Sequence, residues 1–276
     1  MPELPEVETV MRGLRTALEG QRIAQVTLNR HDLRWPFPAN LQQEMLHQTV
    51  ISFHRRAKYI LMRLENNWSV LFHLGMSGRM LIGVRGQNTA PPRHEHVVIE
   101  SDGGTRIGFV DPRRFGAIDL VPTADEEQHM LLHKLGIEPL SDALTGRYLQ
   151  DVFLKKRTPI KTALLDQRFI AGLGNIYVCE ALFQSRIHPT RTAGSLTETE
   201  AESLAHNIRI ILDAAIASGG SSLRDYVQAD GTRGGYQDLH HVYGRENEPC
   251  RSCSTTPIAR LVQSGRSTFY CPSCQK

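Results

Sequence analysis

Val7, Val10, Met11, Leu14 and Leu18 recur at helical spacing, so residues 3–18 predict one amphipathic helix. Pro5 suits its first turn and Gly20 suits its stop. The pattern then shortens. Stretches near 22–30, 48–53, 57–64, 68–74, 95–100, 106–110 and 117–121 are rich in Val, Ile, Leu and Phe. Turn signals separate them at Glu65-Asn66-Asn67, Gly75 to Gly78 and Asp102-Gly103-Gly104. This predicts a β-sandwich or barrel with the first helix packed on it. Pro122 and Pro139 fall in an acidic stretch that reads as a boundary, with a helix near 124–135. Beyond about 142 the pattern turns helical at 143–153, 158–167, 175–185 and 197–217, with a shorter helix from about 221 and a Gly-rich loop at 229–235. The expected division is an N-terminal domain over 1–122, a linker over 123–141, a helical domain over 142–240 and a small terminal module over 241–276.

A chain of 276 residues is long enough for two domains and an appendage. No apolar run approaches the ~20 residues of a membrane helix. Acids stand where a signal peptide would carry basic residues, so a cytoplasmic location is expected. The net charge of +3 is unevenly spread. Residues 54–115 hold ten Lys/Arg against five Asp/Glu, and 116–150 hold two against six. Residues 151–276 hold fifteen against twelve. Two basic regions flanking an acidic one allow a polyanion to lie against two lobes, although scattered solvated charges would look much the same.

Four of the five cysteines form two C-x2-C pairs, Cys250/Cys253 and Cys271/Cys274, seventeen residues apart. Tetrahedral zinc needs four soft donors, and two such knuckles supply two thiolates each. Two disulfides or free thiols are the alternatives. With all four positions filled by protein, the metal would be structural, folding a hairpin that carries Arg260 and Arg266 toward phosphate. Cys179, standing alone, reads as a small buried residue.

The chain begins Met1-Pro2-Glu3-Leu4-Pro5-Glu6-Val7-Glu8. Removal of Met1 would leave Pro2 with a secondary amine, whose pKa of roughly 8 keeps a useful fraction neutral. Such an amine can attack a sugar carbon and form an iminium, with Glu3 moving protons. A plain helix start with acids near its positive end fits the same residues. Other positions are equally two-sided. Lys58 reads as a strand-surface cation, Met76 and Phe115 as core, and Asn175 as a helix N-cap.

The string PELPEVETV, followed in order by RRAKY at 55–59, HLGMSG at 73–78, DPRRFG at 111–116, GLGNIY at 172–177 and the terminal zinc hairpin, resembles the formamidopyrimidine-DNA glycosylase family. The matches run the length of the chain. The resemblance implies an α+β multidomain fold. An N-terminal β-sandwich with flanking helices would join a helical domain containing a helix–two-turns–helix motif and a zinc-finger β-hairpin, with damaged double-stranded DNA bound in the cleft between lobes. It implies base-excision repair of oxidised purines (8-oxoguanine and formamidopyrimidines) and an AP lyase that eliminates both phosphates, leaving a one-nucleotide gap.

By resemblance, Pro2 is the nucleophile, Glu3 the acid of sugar-ring opening, and Lys58 serves the first elimination. Arg266 meets phosphate and serves the second. Met76, Arg113 and Phe115 fill the void left by the flipped base, which agrees with their chemistry. His73, His94, Lys156, Lys161 and Asn175 match DNA contacts, Glu6 and Glu180 acids near the lesion pocket, and the loop around 219–235 closes over the base. One departure is Ser254-Thr255-Thr256-Pro257-Ile258 after the second zinc ligand, one residue longer than the family's usual turn and lacking its glycine. One zinc ion and a monomer are expected. The rivals are an oxidised-pyrimidine glycosylase of the endonuclease VIII type and a non-enzymatic zinc-ribbon DNA-binding protein.

Overall fold

A computed structural model describes residues 1–86, 91–222, 229 and 231–276. They form two compact units. One comprises Met1–His133 with Ser218–Gly235, the other Lys134–Ala217 with Tyr236–Lys276.

The first unit opens with α1 (Leu4–Leu18), whose apolar stripe is buried throughout and whose first turn holds Pro5. Two antiparallel four-stranded sheets follow. The first has the order β1 (Ile23–Leu28), β6 (Glu95–Ser101), β7 (Thr105–Val110), β5 (Arg79–Val84). The second has the order β2 (Val50–Arg56), β3 (Tyr59–Leu64), β4 (Trp68–His73), β8 (Ala117–Pro122). Their inward residues, among them Val26, Ile60, Phe72, Val97 and Phe109, share one core with α1. A short α2 (Leu41–Met45) precedes β2. The expected turns hold, with Asn67 and Gly104 at positive φ closing β3–β4 and β6–β7.

Three expectations change here. The sequence reading missed β5, an edge strand of half-exposed alternation that Gly83 interrupts. The helix expected near 124–135 is a 3₁₀ turn over Thr123–Gln128 followed by loose turns. Glu126 decides this by turning inward, where it accepts from Arg63 at 2.8 and 2.6 Å and from the Ser69 hydroxyl at 2.6 Å. That pins the segment to β3 and β4. The described residues of 218–235 group with the first unit, whereas the linear division gave them to the helical domain. The helix expected from about 221 falls largely on 223–228, outside the described residues.

The second unit holds α3 (Gly146–Phe153), α4 (Ile160–Leu164), α5 (Asn175–Gln184), α6 (Glu198–Ala217) and the hairpin β9 (Ala259–Gln263) and β10 (Arg266–Tyr270). Thr145 caps α3 by accepting from the Tyr148 N–H at 3.0 Å. Helix α5 is buried on nearly every side, touching α4, α6 and β10. A separate apolar cluster of Cys179, Phe183, Val242, Ile258 and Phe269 includes Cys250 and Cys271, with Cys253 and Cys274 packed against it.

Candidate active site and nucleic-acid interface

Pairing in the two sheets determines which loops meet. Strand β4 pairs with β8, setting His73 opposite Ala117, and β5 pairs with β7, setting Arg79 opposite Val110. The connections 74–78 and 111–116 therefore cross between sheets at the same end. Tyr59 pairs with His73, so the two-residue β2–β3 turn bearing Lys58 lies at that end too.

The N-terminus reaches the same place. Pro2 and Glu3 are buried, and Met1 lines a pocket of about 590 Å³ with Leu33, Arg34, His73, Met76, Arg113 and Phe115 among its walls. Glu6, expected beside the damaged base, ties backbone together. One carboxylate oxygen accepts from the Glu3 N–H at 2.8 Å, completing a capping box, and the other accepts from the Ser221 N–H at 2.7 Å. Gly220, at φ +79°, lies so close to Glu6 that a Cβ there would sit 2.8 Å from its carboxylate. Glu6 thus joins the start of α1 to the described edge of the 219–235 loop.

Lys58 is almost fully buried. His73 keeps some accessible surface, yet packed neighbours desolvate its ring. That burial, with the charges of Lys58 and Arg34, lowers its pKa to about 4. The Gly75 N–H donates to its Nδ1 at 3.2 Å, which assigns the remaining proton to Nε2. His73 is therefore a neutral donor near pH 7.

Met76 and Phe115, which pattern alone assigns to a core, are 37% and 46% exposed. The guanidinium of Arg113 lies 4.8 Å from the centre of the Phe115 ring. Asp111, fully buried, fixes the group. It accepts from the Ser77 hydroxyl at 2.6 Å and the Gly116 N–H at 2.8 Å, while Ser77 accepts from the Arg113 N–H at 3.1 Å. Gly75, at φ +60°, permits this approach, since a Cβ there would lie 2.4 Å from the Gly116 nitrogen. His94 is exposed at a positive-φ turn, and its carbonyl accepts from the Asp111 N–H at 3.1 Å.

The sequence reading missed Asp111 and Arg34. The first stands inside DPRRFG, where the string alone does not show that its carboxylate is a buried clamp. Arg34 lines the pocket, its guanidinium 4.8 Å from the Trp35 ring centre and its backbone N–H bonded to the Gly116 carbonyl at 3.2 Å. The adjacent Leu33-Arg34-Trp35, a cation beside an aromatic, was the available signal.

In the second unit, Asn175 begins α5 but does not cap it, since Gly174 holds that position. Its Nδ2 donates to the Ser267 carbonyl at 2.8 Å, and its Oδ1 is buried with no hydrogen-bond partner among the described residues. Lys156 lies 4.2 Å from the centre of the Phe169 ring, partly exposed. Two expectations are corrected. Lys161, read as a DNA contact, is 0% exposed, and its ammonium bonds the Thr268 hydroxyl at 2.7 Å and the Ser267 carbonyl at 3.2 Å. Glu180, read as a pocket acid, is also 0% exposed and accepts from the N–H groups of His241, Val242 and Tyr243 at 2.9, 3.0 and 2.8 Å. Burial alone would raise its pKa, but bonds from the His241 side chain and those backbone N–H groups outweigh it and hold the carboxyl below its ordinary value. Glu180 fixes the turn that leads to the zinc module. Arg266 is exposed at the start of β10, after a two-residue turn with Ser264 at φ 49° and Gly265 at φ 74°.

The four sulfurs of Cys250, Cys253, Cys271 and Cys274 lie within 4.8 Å of one another. The pairs Cys250–Cys274 and Cys253–Cys271, at 3.9 and 3.8 Å, are far too long for disulfides. Zinc–sulfur bonds of about 2.3 Å in a tetrahedron place sulfurs at about this separation. Burial pushes the Cys271 thiol up to about 12, while backbone N–H groups of Thr255 and Thr256 bring Cys253 down to about 5. A divalent cation neutralises the charge that such crowding penalises. These residues form the site of one structural zinc ion.

Family models match in three segments. The formamidopyrimidine-DNA glycosylase N-terminal domain covers residues 1–118, its H2TH domain 135–227, and the zinc finger found in FPG and IleRS 247–276. A formamidopyrimidine-DNA glycosylase of Gluconobacter oxydans (strain 621H) is 64% identical over 277 residues, covering 100% of both chains. The chain belongs to the formamidopyrimidine-DNA glycosylase family. A second glycosylase of the family, from Cereibacter sphaeroides (strain ATCC 17029 / ATH 2.4.9), is 56% identical over 284 residues, again with full coverage of both chains. Among solved structures, the MutM (Fpg) protein of Thermus thermophilus superposes with a TM-score of 0.88 at 40% identity, over 99% of this chain and 98% of that one. The Lactococcus lactis Fpg in complex with DNA containing an abasic site superposes with a TM-score of 0.91 at 32% identity, over the whole of both chains.

Proposed function

We propose that this glycosylase removes oxidised purines from double-stranded DNA through the amine of Pro2, then cleaves the strand on both sides of the sugar. The observation that carries this reading is the buried Pro2–Glu3 start beside a pocket whose walls include His73, Met76, Arg113 and Phe115. With Met1 removed, the Pro2 nitrogen attacks C1′, and the base departs with the glycosidic electron pair. Glu3 protonates the opening sugar ring, and a C1′ iminium remains. The iminium acidifies the C2′ proton, whose loss expels the 3′ phosphate. Loss of the C4′ proton then expels the 5′ phosphate. Lys58 offsets charge in the first elimination and Arg266 in the second.

Met76, Arg113 and Phe115, held together by Asp111, fill the space vacated by the flipped nucleotide. Neutral His73 and exposed His94 donate to phosphates, joined by Lys156 and by the α5 terminus at Asn175. Arg34 supplies a further guanidinium at the pocket rim. The chain acts as a monomer on chromosomal DNA in the cytoplasm, and no described helix is long and apolar enough to cross a membrane.

Borohydride trapping tests the chemistry. Duplexes carrying 8-oxoguanine should yield a covalent adduct that mass spectrometry maps to residue 2, and Pro2→Gly should abolish it while duplex binding survives. An adduct on a lysine, Met1 retained in active protein, or preferential trapping on thymine glycol would each overturn the proposal.

A further inference from the structure

We infer that Lys161 is a positioning residue that sets Arg266 through the Ser267 carbonyl and never touches DNA. This rests on the role given to Arg266 above. The ammonium of Lys161, on α4, donates to the Thr268 hydroxyl at 2.7 Å and to the Ser267 carbonyl at 3.2 Å. Asn175, on α5, donates to the same carbonyl at 2.8 Å. Two helices thereby grip one peptide oxygen, in the residue directly after Arg266. The grip continues across the hairpin. The Thr268 hydroxyl donates to Gln263 Oε1 at 2.9 Å, Gln263 is the cross-strand partner of Arg266, and its Nε2 donates to the Pro189 carbonyl at 3.2 Å. Both ends of the Ser264-Gly265 turn are thus tied to the helical part of the unit.

Burying an ammonium is costly, and the clearest return on that cost is a fixed geometry. A surface cation in the same segment would serve as well if only charge were needed. In the second elimination the C4′ proton goes to a base. Its electron pair passes along the conjugated iminium and expels the 5′ phosphate, which keeps the C5′–O pair. The guanidinium facing that phosphate must be held closely, since a misplacement of about 1 Å can cost on the order of a hundredfold in rate.

The experiment uses zinc-loaded full-length protein and a duplex with an abasic site. Two readouts are followed, the ratio of second-elimination to first-elimination product and the affinity for an abasic-analogue duplex. Lys161→Met and the near-isosteric Thr268→Val should each lower the ratio about tenfold at unchanged zinc stoichiometry, and Thr268→Ser should restore it. Adding Lys161→Met to Arg266→Ala should change neither readout further, because both act through one group. Additive losses in the double variant overturn the inference, as does an unaltered ratio in both Lys161→Met and Thr268→Val. Loss of zinc in Lys161→Met with a normal ratio in Thr268→Val also overturns it, leaving a merely structural lysine. An Arg266→Ala variant that keeps both readouts refutes the role of Arg266 itself. In that case an effect of Lys161→Met arises elsewhere and refutes the inference too.

Discussion

His73 shows how single residues are tuned here. Its pKa, pulled from 6.5 to about 4 by burial and by Lys58 and Arg34, leaves it uncharged at neutral pH. A folded-state value below the unfolded one means the unfolded chain binds the extra proton between about pH 4 and 6.5. Its contribution to stability is therefore complete above about 6.5 and is lost as the pH falls toward 4. Denaturant melts from pH 4 to 8 should show a shallower acid-side decline for His73→Gln than for the parent chain, and an identical slope would refute the neutral-histidine account. Glu6, Glu180 and Lys161 share a different lesson. Each was legible as a charged residue in a family motif or near one, and each spends its charge on backbone inside its own unit. A carboxylate that accepts three N–H groups looks the same in sequence as one awaiting a ligand.

At the scale of elements, the zinc hairpin and the paired loops contrast. The hairpin was readable because its requirements are local. Two C-x2-C turns and a Ser-Gly turn at positive φ specify it. The ten residues of its two strands cannot bury a core of their own, so metal binding supplies folding free energy, ~10 kcal/mol or more for such sites. Chelation, or Cys253→Ser, should release one zinc per chain and weaken duplex binding by more than about tenfold, followed by metal analysis and anisotropy. Binding unaffected by complete zinc loss would contradict this. The loops 74–78 and 111–116 are different. Their turn residues were visible, but the clamp of Asp111 on Ser77 and Gly116 was not. Strand β5 and the 3₁₀ turn at 123–128 were missed or misread for a related reason. An edge strand shows weak alternation, and an acidic run reads as helical until a half-buried Arg63 turns Glu126 inward.

For the whole molecule, the net charge of +3 conceals basic residues spread over both units. Phosphate contacts made by several of them should make affinity fall steeply with salt, by a slope of about 0.9 per contact on logarithmic axes. Anisotropy titrations over a salt series should show Arg266→Ala lowering that slope by about 1, whereas Lys161→Gln in itself removes no phosphate contact. A slope unchanged by Arg266→Ala would remove that residue from the DNA contacts.

By itself the sequence determined the four zinc ligands, the first helix (expected over 3–18, found over 4–18), the alternation of short strands and turns, and the start Pro2-Glu3. These follow from spacing along the chain, where dihedral preference and ligand geometry act over a few residues. Tertiary structure decided which loops stand together, which cations remain exposed, and that Glu6 reaches a backbone amide 215 positions away. Strand pairing and burial depend on partners remote in sequence, and a residue's type carries no record of which partner it meets.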